Sequence, residues 1–137
     1  MLKKILILTL IQSLFIFAYA KDLQFSGYTS YKRYGGVMNL SADTVRNNRS
    51  QGVSGDLKIM LWATTRKYRG GQINGYVVAE SRLGRLRGNN YFPRVSRDAS
   101  FYAPPMGRYF MTLTLSEYRY GRYEVVDYIN YKRKETF

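Results

Sequence analysis

The chain offers arginine and tyrosine for chemistry, and little else. It contains no cysteine and no histidine. Thiol nucleophiles, imidazole acid–base catalysis, Ser-His-Asp triads and the usual zinc sites therefore have no residues to work with. One basic cluster is Arg82-Leu83-Gly84-Arg85-Leu86-Arg87-Gly88. Leu83 and Leu86 are expected to point inward, leaving Arg82, Arg85 and Arg87 exposed around a turn. Arg94 and Arg97 follow on the next segment, where they can return beside the first three. Tyr91 and Phe92 lie between the two groups and can stack on a sugar or base. A guanidinium presents a planar fork of donors that suits phosphate, sulfate and carboxylate, and binding through such charges weakens steeply with salt. The competing reading is a solvated sheet edge where arginines block edge-to-edge aggregation.

A second group, Arg66, Lys67 and Arg69 around Tyr68, falls in the loop after an alternating apolar segment. A third, Tyr118-Arg119-Tyr120-Gly121-Arg122-Tyr123, crosses a turn. There Tyr118 and Tyr120 offer flat, adaptable contact surface of the kind found in binding loops; plain cross-strand pairing of Tyr and Arg is the alternative. Among the nine acidic residues, Glu80, Glu117 and Asp127 lie in ordered segments. A glycosidase needs two carboxyl groups roughly 5–10 Å apart. Here abundant arginines compete for each carboxylate, so no catalytic residue, metal site or cofactor is expected.

These groups must be positioned by strands. Leu57, Ile59, Leu61 and Ala63 alternate with Lys58, Met60, Trp62 and Thr64, and both sets carry large apolar groups, which predicts a central strand. Tyr109-Met111-Leu113-Leu115 alternates with Phe110-Thr112-Thr114-Ser116. Tyr123 to Tyr131 alternates as well, and the two segments read as a hairpin with a four-to-six-residue loop over Glu117–Arg122. Weaker strands are expected over Leu23–Tyr31, Val37–Val45, Ile73–Glu80 and Val95–Tyr102, separated by Gly, Asn and Pro turns. Seven strands at this spacing predict a single antiparallel immunoglobulin/fibronectin-like β-sandwich over residues 21–137. Tyr109 stands where such a sandwich places its corner tyrosine, and Trp62 is expected as its core tryptophan. The tail, Lys132–Phe137, is expected to fray.

The first 20 residues read as a cleavable signal peptide: Lys3 and Lys4, then an apolar run from Ile5 to Phe17, then Ala18-Tyr19-Ala20 as the cleavage site. The run is about 13 residues, short of the ~20 that span a bilayer as a helix. Nothing after it is apolar enough to span. The expected mature chain starts at Lys21 and has 117 residues, with 14 Arg, 6 Lys and 9 acidic residues, a net charge of +11. Without disulfides it must be held by packing and backbone pairing alone.

Ser54 to Tyr131 resembles a small β-sandwich domain of bacterial secreted proteins, found alone or appended to larger exported chains. The resemblance rests on Ser54-Gly55-x-Leu57, Leu61-Trp62-Ala63-Thr64, Tyr68-x-Gly70-Gly71-x-Ile73-x-Gly75-Tyr76, Leu83-Gly84-x-Leu86, Phe101-x-Ala103-Pro104-Pro105-x-Gly107-x-Tyr109, Leu115-Ser116-Glu117-Tyr118 and Val126-Asp127-Tyr128. It implies a bacterial origin and a sandwich fold, and no activity. This copy departs from the pattern in its basic loops. Charge and aromatic content together predict an exported, periplasmic or secreted, non-enzymatic binding module. Its expected partner is an anionic polymer or membrane surface: an acidic polysaccharide, lipopolysaccharide headgroups or nucleic acid. The alternative is an accessory subunit that docks on a larger envelope protein.

Overall fold

The computed structural model describes residues 21–137; the expected signal peptide lies outside the described residues. Alternation of apolar and polar residues drives the chain into strands: β1 (Leu23–Tyr34), β2 (Val37–Asn47), β3 (Leu57–Thr64), β4 (Tyr76–Gly84), β5 (Tyr91–Ser100), β6 (Arg108–Arg119), β7 (Arg122–Asn130) and a short β8 (Glu135–Thr136). Among the described residues there is no helix. One sheet has the order β1-β2-β5, and the other β4-β3-β6-β7, with β8 added at the start of β6. Every pairing is antiparallel. The result is the immunoglobulin/fibronectin-like sandwich that the strand spacing predicts.

The inner faces are those set by the period of two. Leu57, Ile59, Leu61 and Ala63 of β3 and Met111, Leu113 and Leu115 of β6 are fully buried. Leu23, Phe25, Met38, Leu40, Ala42, Val45 and Val95 meet them from the other sheet. Aliphatic burial of this extent is the main stabilising term. Tyr109 opens β6 and its hydroxyl donates to the Pro105 carbonyl at 2.7 Å, the corner tyrosine of a sandwich.

Several local expectations are corrected. Trp62 is not in the inter-sheet core: it shares the outer face of β3 with Lys58 and Met60, half-buried, and its Nε1 donates to Thr114 Oγ1 at 3.0 Å. The alternation that buries Leu61 puts its neighbour outside. The β6–β7 connection is a two-residue turn at Tyr120-Gly121, with φ of 55° and 79°, so both strands run on to the Arg119–Arg122 pair. Two positive φ values give the turn the twist that matches the strands it joins. Ile73 lies in a loop, and β4 starts at Tyr76 and runs to Gly84. β5 starts at Tyr91 rather than Val95, because it is an edge strand and tolerates Pro93. The tail does not fray: Phe137 exchanges two backbone hydrogen bonds with Gly107, at 2.8 and 3.1 Å, and its ring stacks on Phe101 at 5.9 Å.

Candidate functional site: a basic end of the sandwich

β3 ends where β6 begins, because Thr64 pairs with Phe110. At this end of the sandwich the chain runs through four connections: the β1–β2 turn, the 65–75 loop, the 101–107 loop and the segment 131–137. The 65–75 loop has no regular structure, yet it is anchored. The Tyr68 side chain is buried, its ring meets Tyr128 edge-on at 4.6 Å, and its hydroxyl donates to the Gly71 carbonyl at 2.5 Å. Asn130 Nδ2 donates to the Tyr68 carbonyl at 2.8 Å, and Thr64 Oγ1 to that of Arg66 at 2.7 Å. With Tyr68 held inward, Arg66, Lys67 and Arg69 are turned to solvent. They line an open concavity of about 390 Å³ together with Thr65, Gln72 and Asn74. The anchors fix the backbone that carries these side chains, so binding needs to order only the side chains themselves.

The other three connections bring more charge to the same end. Lys32 and Arg33 flank the β1–β2 turn, Arg108 begins β6, and Lys132, Arg133 and Lys134 precede β8. Among the described residues, Arg133 alone of the nine basic residues here is in an ion pair, with Glu135 at 3.0 Å. The nearest other acid is Asp98, level with Lys32 across β2, which accepts from Asn39 Nδ2 at 2.8 Å. The rest of the molecule holds Asp22, Asp43, Asp56, Glu80, Glu117, Glu124 and Asp127; six of them are ion-paired, and Asp43 accepts from the Tyr28 amide at 2.8 Å. Among the described residues, eight of the nine basic residues at this end lack an ion-pair partner, against five of the eleven elsewhere: Arg46, Arg85, Arg87, Arg94 and Arg97. Uncompensated charge on several neighbouring segments raises the local potential and attracts anions.

Of the cluster that leads in the sequence, the fold engages Arg82 in an ion pair, and Arg85, Arg87, Arg94 and Arg97 have none among the described residues. Leu83 and Leu86 do point inward, and Arg82, Arg85 and Arg87 are exposed. Arg82, however, is taken up by Asp56, at 2.5 Å, which also accepts from the Tyr123 hydroxyl at 2.7 Å. Burial alone would raise the Asp56 carboxyl; the hydrogen bonds from Tyr123 and Arg82 outweigh it and hold the group below its ordinary value. Arg94 and Arg97 are on β5, an edge strand. Pro93, the positive φ of Arg94 (45°) and an arginine between Val95 and Ala99 are devices that stop an edge from pairing with another chain. Phe92 packs against the core, which leaves Tyr91 as the surface ring of that pair, beneath the Arg46 guanidinium at 4.9 Å. At the opposite end, Tyr118 meets Tyr123 edge-on across the hairpin at 5.1 Å, while Tyr120 is 90% exposed at its tip.

Sequence reasoning missed Lys32, Arg33, Arg108 and the 132–134 run as parts of one surface. Their only signal was position beside a turn or terminus; no spacing along the chain places those turns together. The three carboxylates considered for catalysis each hold a basic partner. Glu117 takes both Arg49 Nη atoms at 2.8 Å, Asp127 takes Lys21 at 2.5 Å, and Glu80 takes Lys58 at 3.3 Å. Hydrogen bonds from Arg49 hold the Glu117 carboxyl below its ordinary value despite burial. A general acid needs the opposite shift.

No protein-family model matches the chain, and neither does any curated protein. Among solved structures, the β-glucosidase from Kluyveromyces marxianus in complex with glucose is similar at a TM-score of 0.41 and 8% identity. The match covers 86% of this chain and 14% of that one, and a likeness so low carries no argument.

Proposed function

We propose that the protein is an exported, non-enzymatic binding module for an anionic ligand, which it meets with the basic end of the sandwich. The carrying observation is the uneven distribution of unpaired charge: among the described residues, Lys32, Arg33, Arg66, Lys67, Arg69, Arg108, Lys132 and Lys134 lack ion-pair partners at one end, while six of the eleven basic residues elsewhere are paired with acids. A chain that carried positive charge only for solubility would have no reason to sort it this way. The bacterial, periplasmic or secreted setting rests on the N-terminal pattern and on the resemblance of Ser54–Tyr131.

The test is positional. Arg66, Lys67 and Arg69 are replaced by Ser in one variant, and Arg85, Arg87 and Arg94 in another, so both lose the same charge. Heparin affinity is measured across a salt series. The first variant is expected to lose far more affinity, with the slope of log K against log salt reduced by up to about 3, one per lost contact. Equal losses would show that only total charge matters and would defeat the proposal.

A further inference from the structure

The basic end also carries the most exposed apolar side chain of the fold. Met106 is 93% exposed, Tyr102 66% and Tyr34 57%, with Val37 also at the surface. Tyr102 and Met106 lie in the 101–107 loop, beside Arg108, and Tyr34 and Val37 flank the β1–β2 turn, beside Lys32 and Arg33. The 101–107 loop is tied through the backbone to the β1–β2 turn, where Phe101 N donates to the Gly36 carbonyl at 2.9 Å, and to β4, where Tyr102 N donates to the Val78 carbonyl at 2.9 Å. The 101–107 loop is stiff. Pro104 and Pro105 restrict it, Tyr109 Oη binds the Pro105 carbonyl, and Gly107 is bonded to Phe137 on both sides. Met106 is therefore held out into solvent by its surroundings. Exposed apolar side chains grouped on a rigid support, rather than scattered singly, mark a contact surface.

The cations around this apolar tip lie over rings. Arg33 sits 4.1 Å from the Phe101 centroid, Lys134 4.1 Å from that of Phe110, and Lys32 5.1 Å from that of Tyr34. A long basic side chain that runs along an aromatic ring and presents its charge at the rim is suited to a boundary between apolar and aqueous phases. Tyrosines likewise favour such a boundary. The charges are spread over four separate connections instead of following one groove, so they match a plane of anions better than a single polymer strand.

We infer that this end docks on an anionic lipid bilayer, with Met106 and Tyr102 entering the headgroup region and the cations, including the Arg66-Lys67-Arg69 concavity, meeting lipid phosphates. This rests on the anion-binding proposal and names its partner. Apolar burial and electrostatic attraction act together in interfacial binding.

The experiment uses the chain from Lys21 onward, whose two sheets and core are complete, with vesicles of phosphatidylcholine alone or with three parts in ten phosphatidylglycerol. Binding is expected only to the anionic vesicles. Replacing Arg66, Lys67 and Arg69 with Ser should lower vesicle affinity roughly a hundredfold, since each basic residue near an anionic bilayer contributes about a factor of five. Replacing Met106 and Tyr102 with Ser should weaken vesicle binding severalfold and leave heparin binding unchanged. Orientation is read by tryptophan fluorescence in a Trp62→Phe background. Met106→Trp should shift to the blue with anionic vesicles, and Tyr120→Trp, at the opposite end, should not. A shift at Tyr120→Trp, or unchanged vesicle binding after loss of Met106 and Tyr102, overturns the inference. Heparin binding without vesicle binding overturns it too, while leaving the anion-binding proposal intact; loss of both defeats both.

Discussion

Glu117→Gln isolates the ion pair that ties the β2–β3 connection to β6. The Glu117 residue is 3% exposed; its carboxylate accepts both Arg49 Nη groups at 2.8 Å and the Gly55 amide at 2.9 Å. Arg119 stands 3.6 Å away. Breaking a fully buried pair costs about 3–5 kcal/mol, and one hydrogen bond to a charged group contributes about 1.5–3. Arg49 keeps 26% of its side chain in solvent, which tempers the loss. The amide still accepts one bond while turning a donor toward the guanidinium, so about 2 kcal/mol is expected at pH 7. That would lower the urea midpoint by about 1–2 M.

The pH dependence supplies the sharper check. Hydrogen bonding from Arg49 depresses the folded-state pKa of Glu117. The ionised form therefore adds stability at all pH values above the unfolded glutamate value, and that increment disappears as the pH falls through the depressed value. Below it both proteins carry a neutral group here, so the gap between them should close. Urea unfolding at pH 7, 5 and 3 follows it. A gap as large at pH 3 as at pH 7, or none at pH 7, would show that the charge on Glu117 does not hold this connection.

Tyr109→Phe removes the corner hydrogen bond to Pro105 and should cost ~1–2 kcal/mol by the same unfolding assay; a neutral result would make Tyr109 an ordinary core aromatic. Gly55→Ala should cost at least about 3 kcal/mol, because a Cβ there would sit 2.0 Å from the Tyr118 carbonyl oxygen; a mild effect would mean the strand can move aside. The amides of Gly107 and Phe137 should resist hydrogen exchange, since each is bonded to the other's carbonyl; rapid exchange would indicate a frayed tail.

Much of the architecture follows from local pattern. The period of two in Leu57–Thr64 and in Tyr109–Ser116 determines which residues face the core, because a strand can bury only alternate side chains. Tyr109 after Pro104-Pro105-Met106-Gly107 marks the corner for the same local reason. The sequence also determines that imidazole and thiol chemistry are absent and that arginine dominates the polar surface. What it does not carry is the relation between segments far apart along the chain. Trp62 and Thr114 are 52 residues apart, Arg49 and Glu117 68; only the β3–β6 register and the closure of the two sheets bring them together. The same holds for the charges. Arg82, Arg85 and Arg87 stand close together in the sequence, yet the fold pairs Arg82 with Asp56. Lys32, Arg66 and Lys132 are separated by dozens of residues and come to one end, because the antiparallel strands place four connections there. Ion pairing depends on which carboxylate ends up opposite which guanidinium, and in an antiparallel sandwich that is decided by strand order.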